Sequence, residues 1–505
     1  METRADDLTG LARERVDLLV IGGGITGAGT ARDAAMRGLR VGLVERGDFA
    51  SGTSSRSSKL IHGGLRYLAQ GDISLVMEAA RERTRLCRIA PHLAESSRMV
   101  VPVYGRTSAG LVKLRAGMWS FEKMAKIPGE DRHEIWKSDQ LLDRVPGMAT
   151  ERLQGAAVYT EYITDDARLT LETLKSAKRY GALIANYAPA IALEEISTAV
   201  SGDGGSASLP ALRCRIRDEM GGDELSVEAT VVVNAGGPWV DEVRKLGGEA
   251  RARMQLTKGI HLVIPRERLP IDDIVVATTE DRRMAFVVPH GDIAWIGTTD
   301  TFYPKPEERP TITREDVDYL LHAINATWPD VGICDADIRG AWAGVRPLVA
   351  QEGKAPSEIS RRDEVLIAPN GLISIGGGKL TTYRQMAERV VDQVVERLGR
   401  KTGPCRTSDV PLVEDGPLVS MSRAHLGPDE LRLALDEECA LTVCDVLERR
   451  ARANLFAPDN GLGHAEEVAE VLGARAGWTE RRRAEEVAVY RARIAEDVAW
   501  REGPR

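Results

Sequence analysis

Residues 16–45 read VDLLVIGGGITGAGTARDAAMRGLRVGLVE, and this stretch decides the fold of the chain. A short apolar run predicts a strand, which opens directly into the pattern G-x-G-x-x-G formed by Gly22, Gly24 and Gly27. In such a turn the first glycine allows the tight bend, the second admits a pyrophosphate, and the third lets helix and strand pack closely. The alanine-rich helix that follows presents unpaired N–H groups at its start, which favour an anion.

The second strand of this unit ends at Glu45, where an acidic side chain binds a ribose diol in dinucleotide folds. A tight glycine turn in some other α/β unit is the alternative interpretation. That alternative accounts for the glycines but leaves Glu45 unexplained. The stretch therefore predicts a dinucleotide-binding site.

The segment after Glu45 indicates which dinucleotide binds. Residues 47–68 read GDFASGTSSRSSKLIHGGLRYL, which is rich in Gly, Ser and Thr and too long for an ordinary strand-to-helix connection. A polar surface loop would have a similar composition. Leu60, Ile61 and Leu65 interrupt the polar run, however, so we expect part of the segment to be buried beside the cofactor.

At this point the sequence resembles the FAD-dependent glycerol-3-phosphate dehydrogenases, the respiratory, quinone-linked enzymes. The resemblance rests on the glycine-rich start and on several segments spread along the chain: SSKLIHGGLRYL at 57–68, TKGIH at 257–261, WIGTTD at 295–300, GVRPL at 344–348, GGKLTTYR at 377–384 and ECALT at 438–442. The segment NAGGPW at 234–239 is similar to a turn of flavoproteins that share the glycine-rich start. Gly376 departs from the family, whose members often carry a larger residue there. Arginine occupies both position 361 and position 362, so the position of the family's second arginine is uncertain by one residue.

The resemblance implies FAD as the cofactor. The residues implied for its binding lie in the glycine turn, in the loop after Glu45 and in two later glycine-rich segments: Gly22, Gly24, Gly27, Glu45, Ser54, Ser57, Ser58, Leu60, His62, Gly63, Ala235, Gly236, Gly378, Lys379, Leu380 and Thr381.

The resemblance also implies sn-glycerol 3-phosphate as the substrate, oxidised to dihydroxyacetone phosphate. A phosphorylated substrate needs a cationic clamp, and the planar fork of arginine binds phosphate oxygens in pairs. The implied substrate-binding residues are Arg66, Tyr67, Arg346, Arg361 and Lys379.

Hydride transfer from a secondary alcohol also requires a base for the hydroxyl proton. Imidazole titrates near neutrality, so His62 and His261 are the candidates, and His62 is favoured. We expect His62, His261 and Arg346 to carry the catalysis. No His, Cys or carboxylate cluster has the spacing of a metal site.

The expected fold class is α/β: a Rossmann-like FAD-binding domain of the glutathione-reductase type, interleaved with a mixed-sheet substrate domain and followed by a C-terminal helical domain. The expected domains are 1–90, 150–240 and 356–400 for FAD; 91–149 and 241–355 for substrate; and 401–505 for the helical domain. Residues 241–355 read as strands alternating with turns, and the last 40 residues read as one solvated helix.

The amino-acid composition and net charge limit which partners are expected. A hydrophobic content of 43% and a charged content of 29% indicate a soluble globular protein. The net charge of −8 argues against nucleic-acid binding, which usually needs a basic face. Six scattered cysteines without a C-x-x-C pair read as reduced thiols, and neither a signal peptide nor a spanning helix is recognised.

Residues 111–126, LVKLRAGMWSFEKMAK, interleave apolar and basic side chains. An amphipathic helix lying on an anionic membrane has this pattern, and so has a helix packed on its own core with solvated lysines. With the resemblance, the pattern predicts a cytoplasmic protein bound peripherally to the inner face of the cell membrane, with quinone as partner. A homodimer is left open.

Two other functions remain open. A flavin enzyme of the same fold could use oxygen as its acceptor, or take an amine or amino acid as substrate; the clamp arginines argue against the amine. A non-catalytic dinucleotide-binding or interaction protein is the third alternative, which matched residues spread from 16 to 450 argue against.

Overall fold

The computed structural model describes residues 3–63, 73–105, 109–125, 132–196, 211–279, 281, 283–351, 353–413 and 426–502. The strands are β1 (Val16–Ile21), β2 (Val41–Val44), β3 (Leu60–Ile61), β4 (Glu95–Tyr104), β5 (Glu134–Lys137), β6 (Leu153–Ile163), β7 (Leu183–Ala185), β8 (Ala190–Ile196), β9 (Ala211–Arg217), β10 (Glu224–Asn234), β11 (Met254–Pro265), β12 (Ile274–Thr278), β13 (Met284–His290), β14 (Ile293–Gly297), β15 (Thr301–Phe302), β16 (Gly340–Val349), β17 (Glu364–Ile367) and β18 (Ile373–Gly376).

The helices are α1 (Arg4–Arg13), α2 (Ile25–Met36), α3 (Ile73–Ile89), α4 (Ala109–Ala125), α5 (Ser138–Arg144), α6 (Asp166–Arg179), α7 (Val240–Leu246), α8 (Arg314–Thr327), α9 (Tyr383–Leu398), α10 (Pro428–Asp436), α11 (Ala453–Phe456), α12 (Ala465–Ala476) and α13 (Glu480–Asp497). A π-helical turn, Asp445–Arg450, precedes α11.

The first sheet is built on parallel strands in the order β18–β10–β1–β2–β7, with β17, β8 and β9 added antiparallel. Apolar side chains fill the strands beside the glycine turn, and Leu18, Val20 and Leu43 are fully buried. Full burial of such a side chain contributes about 1.5–3 kcal/mol. Helices α2, α6 and α9 pack together beside this sheet.

The turn between β1 and α2 needs its glycines. Gly22 has φ +117°, a conformation that other residues rarely adopt. A Cβ atom on Gly27 would lie 1.9 Å from the carbonyl oxygen of Gly22, so only glycine lets the helix pack this closely on the strand. Both features agree with the roles predicted from the sequence.

The second sheet is mixed and runs β15–β11–β14–β13–β12–β4–β6–β3, with β16 paired to β11 and β5 paired to β6. Its core includes Val100, Leu262 and Ile296. Helix α8 packs on this sheet, and it was not expected, because residues 241–355 were interpreted as strands and turns alone. Thr313 caps α8 through a reciprocal pair of hydrogen bonds with Asp316, a signal that the sequence does contain.

The C-terminal region is helical and has its own apolar core, which includes Leu447, Leu472 and Tyr490. Its last part is two helices, α12 and α13, that pack on each other, so the single solvated helix expected there was wrong. In the described part of the chain, no helix combines the length and the apolar character that crossing a membrane requires.

Candidate active site

A cavity of about 370 Å³ opens at the carboxyl ends of β1, β2 and β10. Every segment predicted to bind the dinucleotide contributes to its wall. The lining includes Gly22, Gly24, Glu45, Ser54, Ser57, Ala235, Gly236, Gly378, Lys379 and Leu380. Residues predicted from the sequence to bind the dinucleotide therefore line one cavity, although they lie up to 358 positions apart in the chain, from Gly22 to Leu380.

The start of α2 points at this cavity. Gly24 is the N-cap and has no side chain to bond the helix amides, and the Ser54 hydroxyl accepts the N–H of Ile25 at 2.9 Å. A Cβ atom on Gly24 would lie 3.0 Å from that hydroxyl. The glycine thus keeps the helix N-terminus accessible to an anion such as a pyrophosphate.

Glu45 lies beside the glycine turn. Its two carboxylate oxygens accept backbone N–H groups, from Gly23 at 2.6 Å and from Gly47 at 2.9 Å. Burial raises the pKa of Glu45, and the two N–H donors act in the opposite direction. The side chain is held at the cavity wall, where an acceptor of ribose hydroxyls is required.

The wall of this cavity also contains a cation–π pair that sequence reasoning missed. The Arg46 guanidinium lies 4.2 Å from the centre of the Trp239 ring, and both residues line the cavity. Trp239 belongs to the quoted segment NAGGPW, but only its alanine and first glycine were predicted to bind the cofactor.

A second cavity of about 440 Å³ adjoins the first. Five residues line both cavities: Thr53, Ser57, Gly378, Lys379 and Leu380. The second cavity also brings together His62, His261, Arg346 and Arg361. Its further lining includes Ser58, Leu60 and Thr381, which were predicted to contact the cofactor.

Arg346 and Arg361 meet on one carboxylate. Asp300 accepts Nη1 of Arg346 on Oδ1 at 3.2 Å and Nη2 of Arg361 on Oδ2 at 3.0 Å. Arg346 also donates from Nη2 to the Thr298 hydroxyl at 2.8 Å. Thus Arg361, the first of the doubled arginines, lies with Arg346 at the second cavity.

Two residues of this cluster were missed as functional residues. Asp300 belongs to the quoted segment WIGTTD, yet no role was assigned to it. Arg283 also lines the second cavity, and its Nη1 donates to the backbone oxygen of Asp300 at 3.0 Å. Arg283 lies in no matched segment, so only its proximity in space identifies it.

His261 is buried in the same wall. Its ring stacks on Trp342 with 4.6 Å between the ring centres, and its Nε2 lies 2.9 Å from the Ser58 hydroxyl. Burial lowers the pKa of His261 well below 6.5, and the positive charges of Arg346 and Lys59 lower it further. The imidazole is therefore neutral at physiological pH.

Two glycines of the matched segments make room for these side chains. A Cβ atom on Gly259 would lie 2.1 Å from Nη2 of Arg346. One on Gly297 would lie 2.0 Å from Cδ2 of His261. The absence of a Cβ atom at these two positions therefore leaves the space that Arg346 and His261 occupy.

His62 lines the second cavity and is half-buried. Its backbone N–H donates to the Thr381 hydroxyl at 3.2 Å, which ties the predicted base to the segment GGKLTTYR. The next residue, Gly63, donates its N–H to both oxygens of the buried Glu161 at 3.0 and 3.1 Å. Arg66 and Tyr67, predicted to bind substrate, lie outside the described residues.

Asp166, the first residue of α6, anchors the loop that follows Glu45. Its carboxylate accepts the N–H and the hydroxyl of Ser57, at 2.9 and 2.6 Å, and pairs with Lys59 Nζ at 2.6 Å. The start of α6 therefore fixes the loop that separates the two cavities. The Ser57 hydroxyl is engaged in this contact.

The first cavity fits FAD on the chain's own geometry. The helix N-terminus, whose N-cap Gly24 has no side chain, suits a pyrophosphate, and the half-buried carboxylate of Glu45 suits a ribose. Gly378, with φ +87°, lets the backbone pass close to the cavity. Within the described ranges, no group of three His, Cys, Asp or Glu side chains could hold a metal ion.

Comparison with known proteins agrees with this geometry. A family model described as FAD dependent oxidoreductase matches residues 17–384, and one described as the C-terminal domain of alpha-glycerophosphate oxidase matches residues 421–483. The aerobic glycerol-3-phosphate dehydrogenase of Staphylococcus haemolyticus (strain JCSC1435) is 41% identical over 409 residues, which make up 80% of this chain and 72% of that protein. The chain belongs to the FAD-dependent glycerol-3-phosphate dehydrogenase family.

Other members of the family agree. The aerobic glycerol-3-phosphate dehydrogenase of Staphylococcus aureus (strain USA300) is 42% identical over 405 residues, 79% of this chain and 71% of that protein. The glycerol-3-phosphate dehydrogenase of Bacillus halodurans, solved in complex with FAD, superposes with a TM-score of 0.78 at 29% identity over 98% of this chain and 97% of that chain.

The L-alpha-glycerophosphate oxidase of Mycoplasma pneumoniae, also solved with FAD, superposes with a TM-score of 0.56 over 77% of this chain and 96% of that chain. Its identity of 15% shows a shared fold alone. Family membership confirms the predicted fold class, and it makes the chain an FAD-dependent oxidoreductase. The domain boundaries stay a prediction.

Proposed function

We propose that this enzyme oxidises sn-glycerol 3-phosphate to dihydroxyacetone phosphate and passes the electrons to quinone at the membrane surface. The second cavity carries the proposal. Four arginines (Arg56, Arg283, Arg346 and Arg361) and two histidines line it, and it shares a wall with the cavity that fits FAD. A phosphorylated alcohol matches this combination of cations and imidazoles.

The arginines are proposed to hold the substrate. Arg346 and Arg361 would bind phosphate oxygens, and Arg66, Tyr67 and Lys379 would complete the contacts with phosphate and hydroxyls. Arginine suits this role because its planar fork matches the spacing of phosphate oxygens. Fixing the phosphate orients the C2–H bond, and such orientation accounts for a large part of enzymatic rate enhancement.

His62 is proposed as the base that accepts the C2 hydroxyl proton. His261 is neutral because of the lowered pKa described above, and its Nε2 exchanges a hydrogen bond with Ser58. Its proposed part is to orient the substrate oxygen. FAD, when bound, supplies the hydride acceptor.

Quinone is lipid-soluble, so the enzyme is proposed to lie on the cytoplasmic membrane surface. Helix α4 supports this, because Trp119 and Val112 are exposed by 55% and 62%. Lys123 Nζ lies 4.1 Å from the centre of the Trp119 ring, and Arg115 is exposed on the same helix. Aromatic and basic side chains together favour an interface with anionic headgroups.

The activity is tested by anaerobic mixing of the yellow enzyme with glycerol 3-phosphate. Bleaching of the oxidised flavin band is expected, whereas glycerol and glycine, which lack the phosphate, should leave the band unchanged. A flavin that no phosphorylated alcohol reduces would revive the non-catalytic interpretation. Reoxidation by a water-soluble quinone analogue without hydrogen peroxide supports the dehydrogenase, and rapid peroxide formation in air supports an oxidase instead.

The membrane contact is tested by co-sedimentation with anionic vesicles. The double variant Val112→Glu, Trp119→Glu should stay in the supernatant and keep its activity with a soluble dye. Val471→Glu with Val489→Glu, two exposed valines on α12 and α13, is the matched control and should sediment like the wild type. Equal sedimentation of both double variants would place the membrane contact elsewhere. Sedimentation equilibrium without vesicles tests whether the chain forms the homodimer that the sequence leaves open.

A further inference from the structure

Asp300 is the one carboxylate that joins the two clamp arginines among the described residues. It contacts Arg346 through Oδ1 at 3.2 Å and Arg361 through Oδ2 at 3.0 Å. The side chain is 10% exposed, and the residue lines the second cavity. An acidic group at the centre of a site for an anionic substrate requires an explanation.

Asp300 first fixes the positions of the two arginines. Two guanidinium groups held in one wall repel each other, and a carboxylate between them removes that repulsion. Because each arginine contacts a different oxygen of Asp300, the carboxylate also sets the separation of the two forks. Thr298 holds the far side of Arg346 at 2.8 Å, so the fork is restrained from two directions.

Asp300 also lowers the net charge of the clamp. Two arginines and Asp300 together carry a net charge of +1, where two arginines alone would carry +2. Lower net charge weakens the binding of substrate and of phosphorylated product alike. Uniformly tight ground-state binding does not raise turnover, so a moderated clamp favours product release.

We propose that Asp300 is the positioning residue of the phosphate clamp, which aligns Arg346 with Arg361 and limits their affinity for phosphate so that product can leave. This inference rests on the proposed function of the second cavity. It assigns to the aspartate of WIGTTD a specific effect on anion affinity and turnover.

The test compares Asp300→Asn with wild-type holoenzyme. Asparagine keeps the size of the side chain, removes its charge and presents a donor to one arginine. The inhibition constant of inorganic phosphate should fall by about tenfold, because one negative charge close to the phosphate is removed in a partly buried site. The KM for glycerol 3-phosphate should fall while kcat also falls, a combination that general loss of structure does not produce.

Asp300→Glu separates the two parts of the proposal. It restores the charge but moves the carboxylate by one methylene, so the inhibition constant of phosphate should return to within about twofold of wild type while kcat stays low. If Asp300→Asn does not fold, Asp300→Glu still tests the proposal, because an unchanged kcat in Asp300→Glu would overturn the positioning role. Asp335→Asn removes a carboxylate from an ion pair with Arg314 outside the cavity and serves as the control.

Phosphate inhibition distinguishes a wrong role for Asp300 from a wrong function for the second cavity. If wild-type enzyme is inhibited by phosphate and Asp300→Asn is inhibited equally or more weakly, the role of Asp300 is overturned while the clamp stands. If phosphate does not inhibit the wild type and glycerol 3-phosphate does not reduce the flavin, the clamp itself is wrong and the inference falls with it.

Discussion

Asp48 and Arg449 form a buried ion pair, with 2.5 Å between Oδ2 and Nε, that joins the cofactor cavity to the C-terminal helices. Arg450 contacts the same carboxylate from the next position of the π-helical turn. Asp48 follows Glu45 and Gly47 in the loop that lines the cavity. Because Gly47 donates its N–H to Glu45, we expect a change at Asp48 to disturb Glu45, the residue predicted to bind the ribose.

Asp48→Asn should weaken FAD binding and destabilise the fold. The variant leaves two buried arginines without their shared partner, and breaking a buried ion pair from one side costs about 3–5 kcal/mol. We expect the dissociation constant of FAD, measured by titration of the apoenzyme, to rise by about tenfold through loss of loop order.

Asp436→Asn is the matched control for this variant. Asp436 pairs with Arg475 inside the C-terminal region, and both side chains are about half exposed. An exposed pair contributes only about 0–1 kcal/mol, so FAD affinity should not change. If the two variants lost FAD equally, the coupling through Asp48 would be wrong.

Glu448 supplies a prediction about acid stability. Burial raises its pKa, but Arg309, Arg449 and Arg493 outweigh burial and lower the pKa to about 2, from an ordinary value of 4.5. The stabilisation is therefore complete above pH 4.5 and is lost as pH falls toward 2. A difference of this size corresponds to about 3 kcal/mol.

Glu448→Gln should lower the free energy of unfolding by an amount of that order at pH 7, measured by urea titration of intrinsic fluorescence. The difference from wild type should shrink as the pH falls from 4.5 toward 2, because the side chain is then protonated in the unfolded wild-type chain while the native side chain is still ionised. A difference that stayed constant between pH 7 and 3.5 would show that the charge of Glu448 is not what stabilises the fold.

The first cavity could be predicted from sequence because local stereochemistry fixes its main parts. Gly22 needs its positive φ, and Gly27 needs the absence of a Cβ atom, whatever the rest of the chain does. Strand β1 and helix α2 follow from an apolar run and an alanine face. These requirements act within about 30 residues, so pattern alone reveals them.

The ionic contacts could not be predicted in this way. Asp166 reaches Ser57 across 109 positions, and Asp48 reaches Arg449 across 401. No periodicity or spacing signals such pairs, because the fold alone brings them together. Arg283 shows the same limit, since only its position at the second cavity distinguishes it from the other 67 of the 68 Lys and Arg residues.

The two histidines can be separated by the pH dependence of kcat/KM. His261 stays neutral because burial, Arg346 and Lys59 lower its pKa well below 6.5. His261→Gln should therefore reduce kcat/KM at every pH above 6 without moving the acidic limb of the profile. His62→Asn, which removes the proposed base, should abolish that limb.

Measured profiles for wild type and both variants decide the assignment. If the acidic limb of the profile moved in His261→Gln and persisted in His62→Asn, His261 would be the base and His62 the residue that orients the substrate. Flavin absorbance of each variant before the assay provides the control for cofactor loss.

The arginine clamp gives the sharpest prediction for the substrate. Arg346→Lys keeps the positive charge but loses the fork that contacts both Asp300 and Thr298. We expect kcat/KM for glycerol 3-phosphate to fall by at least about tenfold, and Arg361→Lys should act in the same direction. Arg266→Lys, at an exposed pair with Asp272, is the control and should retain wild-type kinetics. Because the proposed role of Arg346 is to bind the phosphate, plain glycerol should fail equally to reduce the flavin of wild type and of Arg346→Lys. Wild-type enzyme that oxidised glycerol as well as glycerol 3-phosphate would contradict the clamp.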